Sequence, residues 1–160
     1  MRRMQHWHPP RSVQLWMLWA THGGAGWLWW MVGGLVWWLG GDSRRRALCA
    51  EGLAAASAIL VFQVVKRITG RRRPCDLEPH CWSRLLPPDR FSFPSGHALA
   101  AFAVAIALGS FYPSAWGPLL FCAASVAVSR VVLGMHFLSD VLAGAVAGSA
   151  IGYASYLVAR

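Results

Sequence analysis

Negative charge is what this chain has least of. Among its 160 residues six are acidic, Asp42, Glu51, Asp76, Glu78, Asp89 and Asp140, and charged residues of both signs make up 13%. Soluble chains carry about a quarter charged residues, so this supply is too thin to cover an ordinary water-exposed surface. The six are also scattered, which leaves no acidic cluster able to hold Mg2+, and no metal or other cofactor is expected. Cysteine is scarce as well, four in all. Cys49 and Cys122 fall inside apolar runs and read as small buried residues, and only Cys75 and Cys81 stand in a polar stretch. A cleaved leader is not expected, because the basic start runs into Pro9-Pro10 and a Trp-rich segment without a clear cleavage site.

What is abundant is apolar surface, at 56% hydrophobic residues with ten tryptophans. Crossing roughly 30 Å of hydrocarbon takes about 20 mostly apolar residues. Five runs are candidates: about Gly26 to Gly41, Ala47 to Val65, His97 to Tyr112, Trp116 to Leu133 and Phe137 to Val158. The first and third are short and rely on interfacial aromatics to extend them. Trp27, Trp29 and Trp30 mark one end of the first run, and Trp37 and Trp38 the other. Residues 11–20 are amphipathic and stop at Thr21-His22-Gly23-Gly24, which predicts a helix lying along the membrane surface. The expected fold is all-α: a polytopic helical membrane protein in one domain over residues 1–160, with about five transmembrane helices and an N-terminal interfacial amphipathic helix.

The formal charge of +9 invites a nucleic-acid partner, but the basic residues follow no nucleic-acid-binding pattern. They gather at membrane edges instead. Arg44, Arg45 and Arg46 read as topology-setting anchors for anionic headgroups. The second cluster, Lys66, Arg67, Arg71, Arg72 and Arg73, opens a long connection, residues 67–93, that reads as a lid or substrate-access loop. In the last run Gly144, Gly148 and Gly152 recur every four residues, in register with His136 and Asp140. Helical periodicity puts all five on one face, which would press that helix into the bundle.

Three stretches carry chemistry: Lys66 and Arg73-Pro74 in KRITGRRRP, Pro94-Ser95-Gly96-His97, and Ser129-Arg130 with His136 and Asp140 in SRVVLGMHFLSD. Counting spans from odd to even places all three on one side of the membrane. A phosphate ester reacts with a nucleophile only when its charge is neutralised, and Lys66, Arg73 and Arg130 can supply the cations. Ser95 adds a hydroxyl donor, and Gly96 opens a helix whose N-terminal N–H groups favour an anion. His136 stands four residues before Asp140, so on a helix the carboxylate would accept from one ring nitrogen and leave the other free to attack phosphorus.

In order and spacing these stretches resemble the three-part signature Lys-x6-Arg-Pro, Pro-Ser-Gly-His and Ser-Arg-x5-His-x3-Asp of the type 2 phosphatidic acid phosphatase (PAP2) family. The resemblance covers Lys66 to Asp140, and every signature position is present; the chain is shorter by one span than the six usual for membrane members. It implies a metal-independent lipid phosphatase. In that reading His136 forms a phosphohistidine, and His97 protonates the leaving oxygen and then activates water. Undecaprenyl diphosphate, phosphatidylglycerophosphate and phosphatidate are the substrates it implies, isoprenoid diphosphate first. Transfer to a second lipid through the same intermediate is the alternative, and a non-catalytic receptor for anionic lipid the more distant one. The family also implies a bacterial inner membrane with the site on the periplasmic face. A disulfide between Cys75 and Cys81 would agree with an oxidising compartment; two free thiols are the alternative, and a zinc site with His80 lacks a fourth ligand and a standard spacing.

Overall fold

A computed structural model of the chain describes residues 10–74 and 91–160. The Cys75 and Cys81 pair and most of the 67–93 loop lie outside the described residues. Six α-helices follow in order: α1 Arg11–Gly24, α2 Trp27–Leu39, α3 Arg44–Thr69, α4 Gly96–Phe111, α5 Trp116–Val132 and α6 Leu138–Ala159. The only β pairing among the described residues is one antiparallel bridge between Arg72 and Phe91.

With their leading turns, α3, α5 and α6 are long and apolar enough to cross a membrane, while α2 and α4 are shorter apolar helices. At 1.5 Å per residue the 16 residues of α4 rise about 24 Å. Its position accounts for this. Helices α3, α5 and α6 enclose α4, and Leu99, Ala103, Val104, Ala107 and Leu108 are all buried. A helix wrapped by protein is apolar all round and need not match the lipid thickness.

The glycine stripe of α6 does what its spacing predicts. A Cβ on Gly148 would overlap the Leu99 carbonyl oxygen, one on Gly152 that of Ala103, and one on Gly144 would stand 2.7 Å from the Ser95 carbonyl oxygen. Only glycine lets α6 lie directly on the α4 backbone, and this contact fixes the height of Ser95 against the start of α6.

Two details differ from the sequence reading. The N-terminal helix runs on to Gly24 and is more than a surface float, for its inner face docks on α5. Met17 and Thr21 are buried there, Met17 clusters with Leu133 and Met135, and Trp16 stacks on Phe121 at 5.8 Å. Trp29, counted among the interfacial tryptophans, is 6% exposed, whereas Trp27, Trp30, Trp37 and Trp38 stay exposed. At 100° per residue Trp29 points away from the face that Trp27 and Trp30 share.

Candidate active site

Two left-handed glycines shape the polar end of the bundle. Gly70 (φ +57°) caps α3 directly after the turn that carries Lys66, and a side chain there would be strained. The chain then doubles back, so that Ser92 N–H donates to the Arg71 carbonyl at 2.7 Å. Gly134 (φ +67°) turns the α5–α6 connection so that the N–H groups of Met135 and His136 both donate to the Arg130 carbonyl, at 3.0 and 3.1 Å. This turn sets His136 beside Arg130.

His136 is 1% exposed. Its Nδ1 lies 2.7 Å from the Ser92 carbonyl oxygen, which can only accept, so Nδ1 carries the ring proton. Nε2 then presents its lone pair, 3.3 Å from Arg73 Nη1, and Arg73 also donates to the Met135 carbonyl at 2.8 Å. Burial first, then the charges of Arg73 and Arg130, push the His136 pKa down to about 2; the Ser92 bond pulls the other way and Lys66 adds to the depression. A neutral imidazole held in one tautomer is the form a nitrogen nucleophile needs.

The expected bond between His136 and Asp140 is replaced by another arrangement. The closest approach of Nδ1 to the carboxylate is 3.9 Å, beyond hydrogen-bonding range. The physical reason is where the helix starts. α6 begins at Leu138 with Phe137 as its N-cap, so His136 lies before the helix and the i,i+4 register does not apply to it. Asp140, fully buried, instead caps its own helix by accepting the Phe137 N–H at 2.9 Å. It also accepts from Arg71 Nη1 at 2.7 Å and from the Ser92 hydroxyl.

The remaining expected residues gather at the same end. Ser95 is the N-cap of α4 yet makes no side-chain cap, and its buried hydroxyl has no hydrogen-bond partner among the described residues. Gly96 and His97 open α4. Arg130, buried on the last turn of α5, donates to the Thr21 hydroxyl at 3.4 Å. Thr21 in turn lies 2.7 Å from Ser129 Oγ, which donates to the Val126 carbonyl. Thus α1 braces Arg130. Arg71, Ser92 and Thr21 were not singled out for chemistry in the sequence; Arg71 and Ser92 adjoin the motif stretches, but nothing in Thr21 distinguishes it.

One cavity of about 890 Å3 takes in Lys66, Arg73, Gly96, His97, Arg130 and His136, and continues between α2 and α3. The α2 side offers Gly26, Trp29, Trp30, Gly33, Gly34 and Trp37; the α3 side offers Leu48, Glu51, Gly52, Ala55, Ala58, Ile59 and Phe62. Both sets recur at steps of three and four, the spacing of a single helix face. The polar end therefore opens into a long groove whose walls are apolar apart from Glu51.

Such an arrangement defines an integral membrane protein with a cationic cavity built around a neutral histidine. Residues 47–160 match the model of the PAP2 superfamily, and the chain belongs to that family as a phosphatase of the PAP2 type. It is 31% identical over 134 residues to the decaprenylphosphoryl-5-phosphoribose phosphatase of Mycobacterium tuberculosis, covering 82% of this chain and 72% of that one. To the undecaprenyl-diphosphatase of Sulfolobus acidocaldarius it is 33% identical over 99 residues, covering 61% of this chain and 48% of the other. In fold it is similar to the crystal structure of Aquifex aeolicus LpxE, with a TM-score of 0.78 at 24% identity over 96% of this chain and 90% of that one. The Bacillus subtilis PAP2-type phosphatidylglycerolphosphate phosphatase is also similar, with a TM-score of 0.70 at 26% identity over 96% of this chain and 79% of that one.

Proposed function

We propose that the protein hydrolyses a lipid phosphate or diphosphate, isoprenoid diphosphate foremost, through a phosphohistidine on His136. The observation that carries this reading is the continuity of the cavity: Lys66, Arg73 and Arg130 with two histidines at one end, and at the other a groove between α2 and α3 that is apolar apart from Glu51. A phosphate fits the first and a hydrocarbon chain the second. Two relatives named for polyprenyl phosphate chemistry support the isoprenoid class.

In the first step His136 Nε2 attacks phosphorus and a P–N bond forms while the bond to the leaving oxygen breaks. Lys66, Arg73, Arg130, Ser95 and the Gly96 N–H hold the phosphoryl oxygens as their charge redistributes. His97 gives its proton to the departing oxygen. In the second step His97 takes a proton from water, which attacks phosphorus, breaks the P–N bond and releases inorganic phosphate. The Ser92 carbonyl stabilises the positive charge that develops on the His136 ring.

We place the site on the extracytoplasmic face of a bacterial inner membrane. The family resemblance and the Cys75 and Cys81 pair support this placement. Charge counting alone points the other way, because Lys66, Arg67, Arg71, Arg72 and Arg73 at the site end outnumber Arg44, Arg45 and Arg46 opposite, but several of the former serve the phosphate. Labelling of Cys75 and Cys81 by an impermeant thiol reagent in intact cells, with and without reduction, tests this.

The deciding experiment is phosphate release by detergent-purified protein in excess chelator on prenyl diphosphates, phosphatidate and phosphatidylglycerophosphate, with His136→Ala in parallel. We expect prenyl diphosphate to react fastest, an acid-labile phosphoenzyme to accumulate, and the variant to lose on the order of 1,000-fold or more in kcat. Equal release by His136→Ala would overturn the mechanism.

A further inference from the structure

We propose that Ser92 orients the nucleophile, and that Arg71 and Asp140 act on the reaction through Ser92 rather than on the imidazole; this rests on His136 being the nucleophile. Ser92 is fully buried and tied at three atoms. Its N–H donates to the Arg71 carbonyl at 2.7 Å, its hydroxyl donates to Asp140 Oδ2, and its carbonyl oxygen receives His136 Nδ1–H at 2.7 Å. The last contact fixes the tautomer, with Arg73 Nη1 facing the other ring nitrogen at 3.3 Å, and the Asp140 carboxylate comes no nearer to Nδ1 than 3.9 Å.

Asp140 has little left to offer the ring. Of the roughly four acceptor positions of a carboxylate, Arg71 Nη1, the Ser92 hydroxyl and the Phe137 N–H take three. Arg71 closes the clasp from outside: it stacks over the Phe137 ring at 4.3 Å and donates to Ser139 Oγ at 3.0 Å as well as to Asp140. The Asp140 backbone carbonyl in turn accepts the Ser95 N–H at 3.0 Å. A displaced Asp140 therefore lets the segment that carries Ser92 drift, and the ring with it. Ser92, Arg71 and Asp140 are positioning residues; partners that orient metal-ligating imidazoles are worth about 10- to 100-fold, and an effect of the same order is expected here.

The test compares Ser92→Ala, Asp140→Asn, their double variant, Ser92→Thr, Arg71→Ala and Arg71→Lys on one lipid substrate, with His136→Ala as control. Folding of each is checked by the thermal shift on adding vanadate, which reads the phosphate ligands. We expect Ser92→Ala and Asp140→Asn each to lower kcat about 10- to 100-fold while KM stays within about threefold, and the double variant to be no worse than its worse parent. Ser92→Thr, which keeps hydroxyl and carbonyl, restores most of the rate. Losses that multiply in the double variant would mean that Asp140 acts on the ring by another route, and an unchanged kcat in Ser92→Ala would overturn the role of Ser92. If Ser92→Ala fails to fold, the exposed Arg71 carries the test: Arg71→Ala must lower kcat, Arg71→Lys must recover part of it, and neither change may matter once Asp140 is Asn. An active His136→Ala would sink the phosphohistidine reading itself, a separate result.

Discussion

Between α4 and α6 glycine brings two backbones together; between α2 and α3 it holds open a space. At Gly148 and Gly152 a Cβ would run into the carbonyl oxygens of α4, while at Gly34 and Gly52 it would meet nothing within 4 Å. The first seam gains the dispersion contacts on which membrane helices depend, since lipid is as apolar as their side chains. The second gives up such contacts, and that loss is offset only when an apolar chain lies in the groove. The same residue type thus builds the rigid frame that aligns Ser95 with α6, and the adaptable channel beside it.

The comparison breaks first at its rigid side. Gly148→Leu is expected to yield no folded protein by size-exclusion in detergent. Gly148→Ala, whose Cβ still overlaps the Leu99 carbonyl oxygen, should cost about 1–3 kcal/mol of stability and lower the rate on every substrate alike. On the open side the outcome differs in kind. Gly34→Leu and Gly52→Leu should fold with unchanged or slightly raised melting temperature, because leucine is the better helix former by up to about 1 kcal/mol. They should lose at least about tenfold in kcat/KM on a long-chain prenyl diphosphate, a cost of roughly 1.4 kcal/mol in transition-state binding, and keep full activity on a small soluble phosphate ester. Equal losses on both substrates would show that the groove is part of the frame.

Much of the polar end was legible in the sequence for one reason: membrane helices alternate sides, so span counting alone brings Lys66, Arg73, His97, Arg130 and His136 to one face, and all five line one cavity. The α6 stripe was legible because close helix contact demands small residues at a period of four. What escaped was whatever depends on where a helix starts. With His136 assigned to the α6 helix, the bond to Asp140 followed; with α6 starting at Leu138, the Ser92 carbonyl takes that place. Thr21 escaped because its partners Ser129 and Arg130 stand more than 100 residues away, a contact made by the docking of α1 and by no local pattern. The groove escaped because Gly34 and Gly52 look the same in sequence whether they admit a neighbouring helix or leave a gap.

A smaller effect separates the two regions by acid. His136 titrates near 6.5 in an unfolded chain and near 2 in the folded one. Between those values the unfolded state binds a proton that the folded state does not, so stability is complete above pH 6.5 and falls as pH drops toward 2. The loss is about 1.4 kcal/mol per pH unit once below the upper value, or about 2 kcal/mol between pH 7 and pH 5. His136→Asn removes the titration, so its melting temperature should fall less than that of the wild type over the same range. Gly34→Leu keeps the histidine and should follow the wild type. If His136→Asn and the wild type lost stability in parallel between pH 7 and pH 5, the imidazole would not be the neutral, water-excluded group that its burial beside Arg73 and Arg130 requires, and the acid sensitivity of the polar end would have to lie elsewhere.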